Sequence, residues 1–260
     1  MNIAVSAIGW NENEELLISE ILNRNNIQHL EITPTYFSRI QNYNGLTYVN
    51  INNSMYQPIA VQSLFWGVEN VSMFGDKVLV DNFRKVMCER IETASKLNIS
   101  RIVFGSPKNR KIDSLDNYYK GVELFEFLGD YALKFNVVIC VEPNPTIYGT
   151  NFLNTTNEAF EFIRQVNHEN VRINLDLSTI TCNGEILPAV NDVNKFAGHC
   201  HISEPFLHKI NSKNKNHERY SRVLAEAKLQ FVSIEISRNS IMNLIELEES
   251  IIIVNEIYGH

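Results

Sequence analysis

Paired cysteine motifs are absent. The four cysteines, Cys88, Cys140, Cys182 and Cys200, lie far apart and make no Cys-x-x-Cys unit, which excludes a zinc ribbon and a disulfide framework and points to a reducing, cytoplasmic compartment. Positive charge is also scarce. With 23 Lys+Arg against 30 Asp+Glu and a net charge of −7, the chain has no surplus for clamping a phosphate backbone, so nucleic acid is not an expected partner. No apolar run is long enough to span a membrane, and no membrane partner is expected. Met1 to Trp10 carries no basic leader and runs into Asn11-Glu12-Asn13-Glu14-Glu15, unlike a secretory signal. No Gly-x-Gly-x-x-Gly follows any apolar run, which argues against an open dinucleotide-binding sheet.

What is present is an ordinary globular composition: 260 residues, 44% hydrophobic, 20% charged and 10% aromatic, enough for a substantial core. Short β-branched or aromatic runs alternate with longer stretches of helical period almost from end to end. Strands are predicted at Ile3–Gly9, His29–Thr33, Ile59–Leu64, Arg101–Gly105, Val137–Glu142, Val171–Asp176, Gly198–Ile202 and Phe231–Ile236. Most are nearly continuous in apolar character, as parallel strands covered on both faces should be. Helices are predicted at Glu14–Arg24, Val78–Leu97, Ser114–Lys134, Asn157–Gln165, Glu218–Lys228 and Met242–Ile257. Eight strands in βα alternation over about 250 residues indicate an α/β chain folded as a single (β/α)8 barrel domain over residues 1–260. Two segments, Tyr36–Pro58 and Leu207–Asn216, break the alternation and read as loops following strands.

Polar residues interrupt four successive strands near their C-terminal ends, where such a barrel carries its chemistry. The fifth ends Cys140-Val141-Glu142-Pro143, the sixth Asn174-Leu175-Asp176, the seventh reads Gly198-His199-Cys200-His201-Ile202-Ser203-Glu204, and the eighth Ser233-Ile234-Glu235. Carboxylates gathered at one mouth repel one another unless paired or bound to a cation. Three carboxylates and one imidazole suit one divalent ion, Mn²⁺, Mg²⁺, Co²⁺ or Zn²⁺. His199 and His201 share strand parity and point the same way, one as ligand and the other behind it or on substrate.

With Leu30-Glu31-Ile32, Val141-Glu142-Pro143, Leu175-Asp176, Gly198-His199-Cys200-His201 with Glu204, and Ile234-Glu235 in this order, the chain resembles the xylose isomerase-like TIM-barrel superfamily. That group holds sugar isomerases and epimerases related to ketose 3-epimerases, inosose dehydratase and endonuclease IV. The resemblance implies that Glu142, Asp176, His201 and Glu235 bind the metal, with His199 behind His201. It also implies that Glu142 and Glu235 act as the acid/base pair of a metal-dependent sugar isomerase or epimerase working through an enediolate. The chemistry is sound in itself: a C–H beside a carbonyl becomes acidic enough only when the developing oxyanion is held by a cation and a carboxylate reaches the proton. The alternatives are a metal-dependent sugar dehydratase on the same barrel and a non-catalytic sugar-binding barrel. The free-ketose 3-epimerases carry a Glu and a His where this chain has Tyr148 and Thr179, so the sugar is expected to differ from theirs.

Gln62-Ser63-Leu64-Phe65-Trp66 and Phe104-Gly105-Ser106-Pro107-Lys108-Asn109-Arg110 resemble a subgroup of sugar phosphate isomerase/epimerases. There Gln62 and Trp66 offer a hydrogen bond and a stacking face for a sugar ring. Ser106, Lys108, Arg110 and Arg238 offer a hydroxyl and positive charge to a phosphorylated, carboxylated or nucleotide-linked sugar. Glu31, His199, Glu204 and His208 complete the expected substrate contacts, and a homo-oligomer fits the resemblance. His29, His168 and His217 read as ordinary surface or packing residues.

Overall fold

The computed structural model describes residues 1–259. Ten strands and eight α-helices occur among them. In chain order they are β1 (Asn2–Ser6), α1 (Glu15–Arg24), β2 (His29–Ile32), β3 (Ile40–Tyr43), β4 (Leu46–Ile51), β5 (Ser54–Val61), α2 (Lys77–Lys96), β6 (Arg101–Phe104), α3 (Leu115–Lys134), β7 (Val138–Val141), α4 (Thr156–Val166), β8 (Val171–Asp176), α5 (Leu177–Asn183), α6 (Val190–Phe196), β9 (Ala197–Ile202), α7 (Asn216–Glu226), β10 (Phe231–Ile234) and α8 (Leu244–Tyr258).

The chain divides into two compact units. The first comprises Met1–Ile59, Asp176–Lys195 and the chain from Cys200 onward. Its strands run in the order β5-β2-β1-β10-β9, with β1 parallel to both β2 and β10 in registers such as Val5↔Leu30 and Val5↔Ile234. The second comprises Ala60–Leu175 and Phe196–His199, and its strands run β9-β8-β7-β6-β5. Since β5 and β9 belong to both runs, the eight strands make the expected (β/α)8 barrel.

The helices carry apolar residues that repeat every three or four positions, and several have capped N-termini. Ser114 accepts from the Asn117 N–H at the start of α3, Thr155 from Glu158 N–H before α4, and Asn243 from Ile245 and Glu246 N–H before α8. On α2 the buried positions are Phe83, Met87, Ile91 and Ala94. They feed an aromatic core in the second unit: Phe104 on β6 meets Phe83 edge-on at 5.4 Å and Phe125 at 5.4 Å, and Phe125 meets Phe162 at 5.4 Å. Edge-to-face geometry at such separations adds to what burial of the rings contributes.

The segment Tyr36–Pro58 corrects the sequence reading. It is not a loop: after a 3-10 turn at Pro34–Arg39 it forms the antiparallel strands β3 and β4, with β4 pairing onward to β5. Its asparagines are turn residues. Asn44-Gly45 (φ 51° and 80°) joins Tyr43 to its partner Leu46, and Asn52-Asn53 (φ 47° and 64°) joins Ile51 to Ser54. Two consecutive positive φ values are what a tight hairpin of this hand requires. The strand predicted at Ile59–Leu64 therefore starts at Ser54 and ends at Val61. β1 likewise stops at Ser6, where the Ser6 hydroxyl accepts from Ile8 N–H and Ala7–Gly9 turns as a 3-10 helix. α5 and α6, seven residues each, are too short for periodicity to reveal. No helix among the described residues is long and apolar enough to cross a membrane.

Candidate active site

The first unit supplies one cluster. On β9 every residue from His199 to Ile202 is buried; His201 belongs to this unit and His199, of the same parity, to the second. The His201 ring lies between two acids. Its Nε2 is 3.0 Å from Glu31 Oε2 and 3.2 Å from Glu31 Oε1, and its Nδ1 is 3.1 Å from Glu235 Oε2. Glu31 stands on β2. Glu235 follows β10, where its own N–H continues the strand ladder to Ile202 O at 3.0 Å. A neutral imidazole has one N–H, so with carboxylates on both nitrogens one of them meets a lone pair. A cation beside Nδ1 and Glu235, or a second proton, resolves that conflict, and His201 belongs to groups of the described residues able to hold a metal ion.

Asp176 ends β8 in the same unit and caps α5. Its Oδ1 accepts from Ser178 N–H (3.1 Å) and the Ser203 hydroxyl, and its Oδ2 accepts from Thr179 N–H (2.9 Å) and the Thr179 hydroxyl (2.6 Å). Thr179, which departs from the ketose-epimerase pattern, thus holds the acid in place. Glu204 is turned the other way. Its Oε1 meets His217 Nε2 at 3.0 Å and Asn211 N–H at 3.2 Å, and Asn214 donates to both oxygens at 3.2 and 3.3 Å. Burial pushes its pKa up, but the hydrogen bonds from His217 and Asn214 outweigh that and hold it below the usual carboxylate range.

His217 is therefore more than an ordinary packing residue: fully buried, it links Glu204 to Tyr258, whose hydroxyl is 2.6 Å from His217 Nδ1. Together these groups pin the 207–216 loop. Arg238, expected to offer charge to substrate, is committed to Glu14 (2.8 Å) and to Ile241 O (3.0 Å). His208 is exposed, with Nδ1 3.0 Å from Ser240 O.

The second unit supplies the other cluster. Glu142 follows β7, and its N–H donates to Phe104 O at 3.0 Å. Asn174 Nδ2 donates to its Oε1 at 2.7 Å and Asn144 Nδ2 to its Oε2 at 3.0 Å. The carboxylate lies so close to Gly105 that a Cβ there would sit 2.3 Å from Oε2, so any larger residue would displace it. Arg110 is fully buried, its guanidinium carbon 5.5 Å from the centre of the Phe104 ring. Burial pulls its pKa down to about 10, against the charge of Glu142, which raises it. Gln62 is buried, Ser106 half-buried and Lys108 exposed, while Trp66 is 74% exposed. Signals for the Asn144 and Asn174 supports were in the sequence, two residues after Glu142 and two before Asp176, but an asparagine beside an acid has too many other readings to single out.

Comparison with known proteins agrees with this architecture. The family described as Xylose isomerase-like TIM barrel matches residues 64–249, more than half of the chain. No curated protein matches. Among solved structures, D-psicose 3-epimerase from Clostridium cellulolyticum H10, with D-tagatose, superposes with a TM-score of 0.75 at 15% identity, covering 100% of this chain and 98% of that one. The 3-keto-D-glucoside 4-epimerase of E. coli gives a TM-score of 0.73 at 14% identity, covering 98% and 99%. The IOLI protein with a binding zinc atom gives 0.68 at 15% identity, covering 100% and 98%. At these identities the likeness is one of fold.

Proposed function

Because the chain belongs to the xylose isomerase-like TIM-barrel family, we propose that it is a sugar isomerase or epimerase. Glu142 and Glu235 exchange a proton with a carbon beside the substrate carbonyl, and Glu142, Asp176, His201 and Glu235 hold one divalent ion of the Mn²⁺, Mg²⁺, Co²⁺ or Zn²⁺ class. The observation that carries this reading is the buried His201 ring with Glu31 on one nitrogen and Glu235 on the other. Such a donor set fits a cation, because an imidazole whose far nitrogen is held by a carboxylate presents its near one in fixed tautomer and orientation. Support also comes from neighbours of the same fold, which include two sugar epimerases and a protein with zinc.

The ion supplies Lewis-acid stabilisation of negative charge developing on the sugar oxygens. The chain's own residues do the rest. Asn174 and Asn144 fix the two oxygens of Glu142, which as an ionised carboxylate acts as a proton acceptor. Glu31 holds the His201 ring, and Thr179 and Ser203 hold Asp176. Glu235, anchored through its backbone to Ile202, returns a proton to the carbon. Held carboxylates of this kind contribute about 10²–10⁴-fold as general acid/base catalysts.

The test is exchange of a carbon-bound substrate hydrogen with solvent deuterium, in wild type and in Glu235→Gln. Exchange that accompanies turnover and vanishes in the variant supports the reading. Product formed with neither exchange nor a primary isotope effect on that hydrogen rules out proton transfer.

A further inference from the structure

Resting on that reading, we propose that Arg110 anchors a carboxylate carried by the sugar, so that the substrate class is a sugar acid. The backbone leading to Arg110 is stapled on both sides. Asn109 O accepts from Met73 N–H at 2.7 Å, Asn109 Nδ2 donates to Val71 O at 3.0 Å, and Arg110 O accepts from the Thr150 hydroxyl at 2.8 Å. Its side chain is thereby delivered inward against the Phe104 ring, beside Glu142. There Nε, Nη1 and Nη2 are all buried and none has a hydrogen-bond partner.

A guanidinium presents five N–H donors and stays charged in proteins. Sealed from water without acceptors it is costly, and a purely structural arginine at such a place is paired with an acid or with carbonyl oxygens. Arg110 makes no ion pair with Glu142 or any other described residue. Its donors thus await an acceptor that the chain does not provide.

Shape and charge select which acceptor. A carboxylate is planar and matches the fork of the guanidinium with two parallel hydrogen bonds. One positive charge balances one negative charge, whereas a dianionic phosphate would leave excess negative charge buried next to Glu142. A neutral sugar hydroxyl would fill part of the fork and leave the charge unmet. Because the guanidinium has no solvent contact, side chains around it must shift to admit the ligand.

Thermal unfolding of the metal-free protein, at constant ionic strength, tests the anchor without needing turnover or the native sugar. The probes are millimolar acetate, its neutral isostere acetamide and inorganic phosphate. Acetate is expected to raise Tm by a few degrees and acetamide not at all. The rise disappears in Arg110→Met and is reduced in Arg110→Lys. Arg110→Met is further expected to be more stable than wild type without anion, since it removes an unmet buried charge while keeping the packing volume. An equal rise with acetamide, a rise that persists in Arg110→Met, or no rise with acetate overturns the proposal. A larger rise with phosphate overturns the sugar-acid assignment in favour of a dianion. The proton-transfer reading can fail in the deuterium experiment while this result stands, and the reverse holds too.

Discussion

The two clusters of candidate site residues are built on opposite principles. Around β8, β9 and β10 polar groups answer one another: His201 has a carboxylate at each nitrogen, Asp176 takes two hydroxyls and two N–H groups, and Glu204 is held by His217, Asn211 and Asn214. Around β6 and β7 the aromatic core closes over Arg110 and leaves its three nitrogens unmet. The difference teaches what each is for. A cluster whose acids are held by neighbouring groups fixes geometry before any ligand arrives, which is how donor sets for ions and proton-transferring acids keep their aim. An unsaturated buried charge spends stability on something yet to bind.

The experiments that sharpen the contrast begin with the largest effect. Glu235→Gln keeps the shape of the first cluster and removes its proton-transferring oxygen, so deuterium exchange into the sugar should fall by about 10²–10⁴-fold, measured by mass spectrometry of the recovered substrate. Next is Glu31→Gln, which leaves every proposed ion ligand in place but loosens the His201 ring. Affinity for Mn²⁺ or Zn²⁺ should weaken by about 10–100-fold in calorimetric titration; unchanged affinity would mean that Glu31 does not orient His201. On the other side, Phe104→Ala opens the aromatic core beneath Arg110 and should cost about 3–5 kcal/mol in chemical denaturation.

The smallest effect is one of pH. The folded-state pKa of Glu204 lies below its ordinary value of 4.5, so its contribution is present above that pH and is lost as pH falls through the lowered folded-state value. Unfolding midpoints between pH 5 and 3 should therefore fall less steeply in Glu204→Gln than in wild type. Identical slopes would show that the links to His217 and Asn214 do not hold the carboxylate.

Where the candidate residues sit on the fold was legible in the sequence for a simple reason. Glu142, Asp176, His201 and Glu235 each interrupt or end an apolar run, and a barrel leaves such interruptions few places to go. Long helices such as α3 and α8 declared themselves by period and cap. What the sequence hid was pairing. Asn44 and Asn52 looked like loop material because asparagine composition cannot distinguish a disordered stretch from two tight turns joining strands. Arg110 and Arg238 looked alike as loop cations, yet one is sealed against Phe104 and the other sits on Glu14 at the surface. Glu31 and Glu204 read as substrate contacts, since nothing in one dimension says that a carboxylate is turned to His201 or to His217.

The most direct test of the central claim is metal content by mass spectrometry, on protein purified without a chelating column, for wild type, Asp176→Asn and His201→Ala. About one divalent ion per chain is expected in wild type, and its loss in both variants, with the fold retained by circular dichroism. Wild type that takes up no ion after incubation with Mn²⁺, Co²⁺ and Zn²⁺, or variants that keep it in full, would contradict the account.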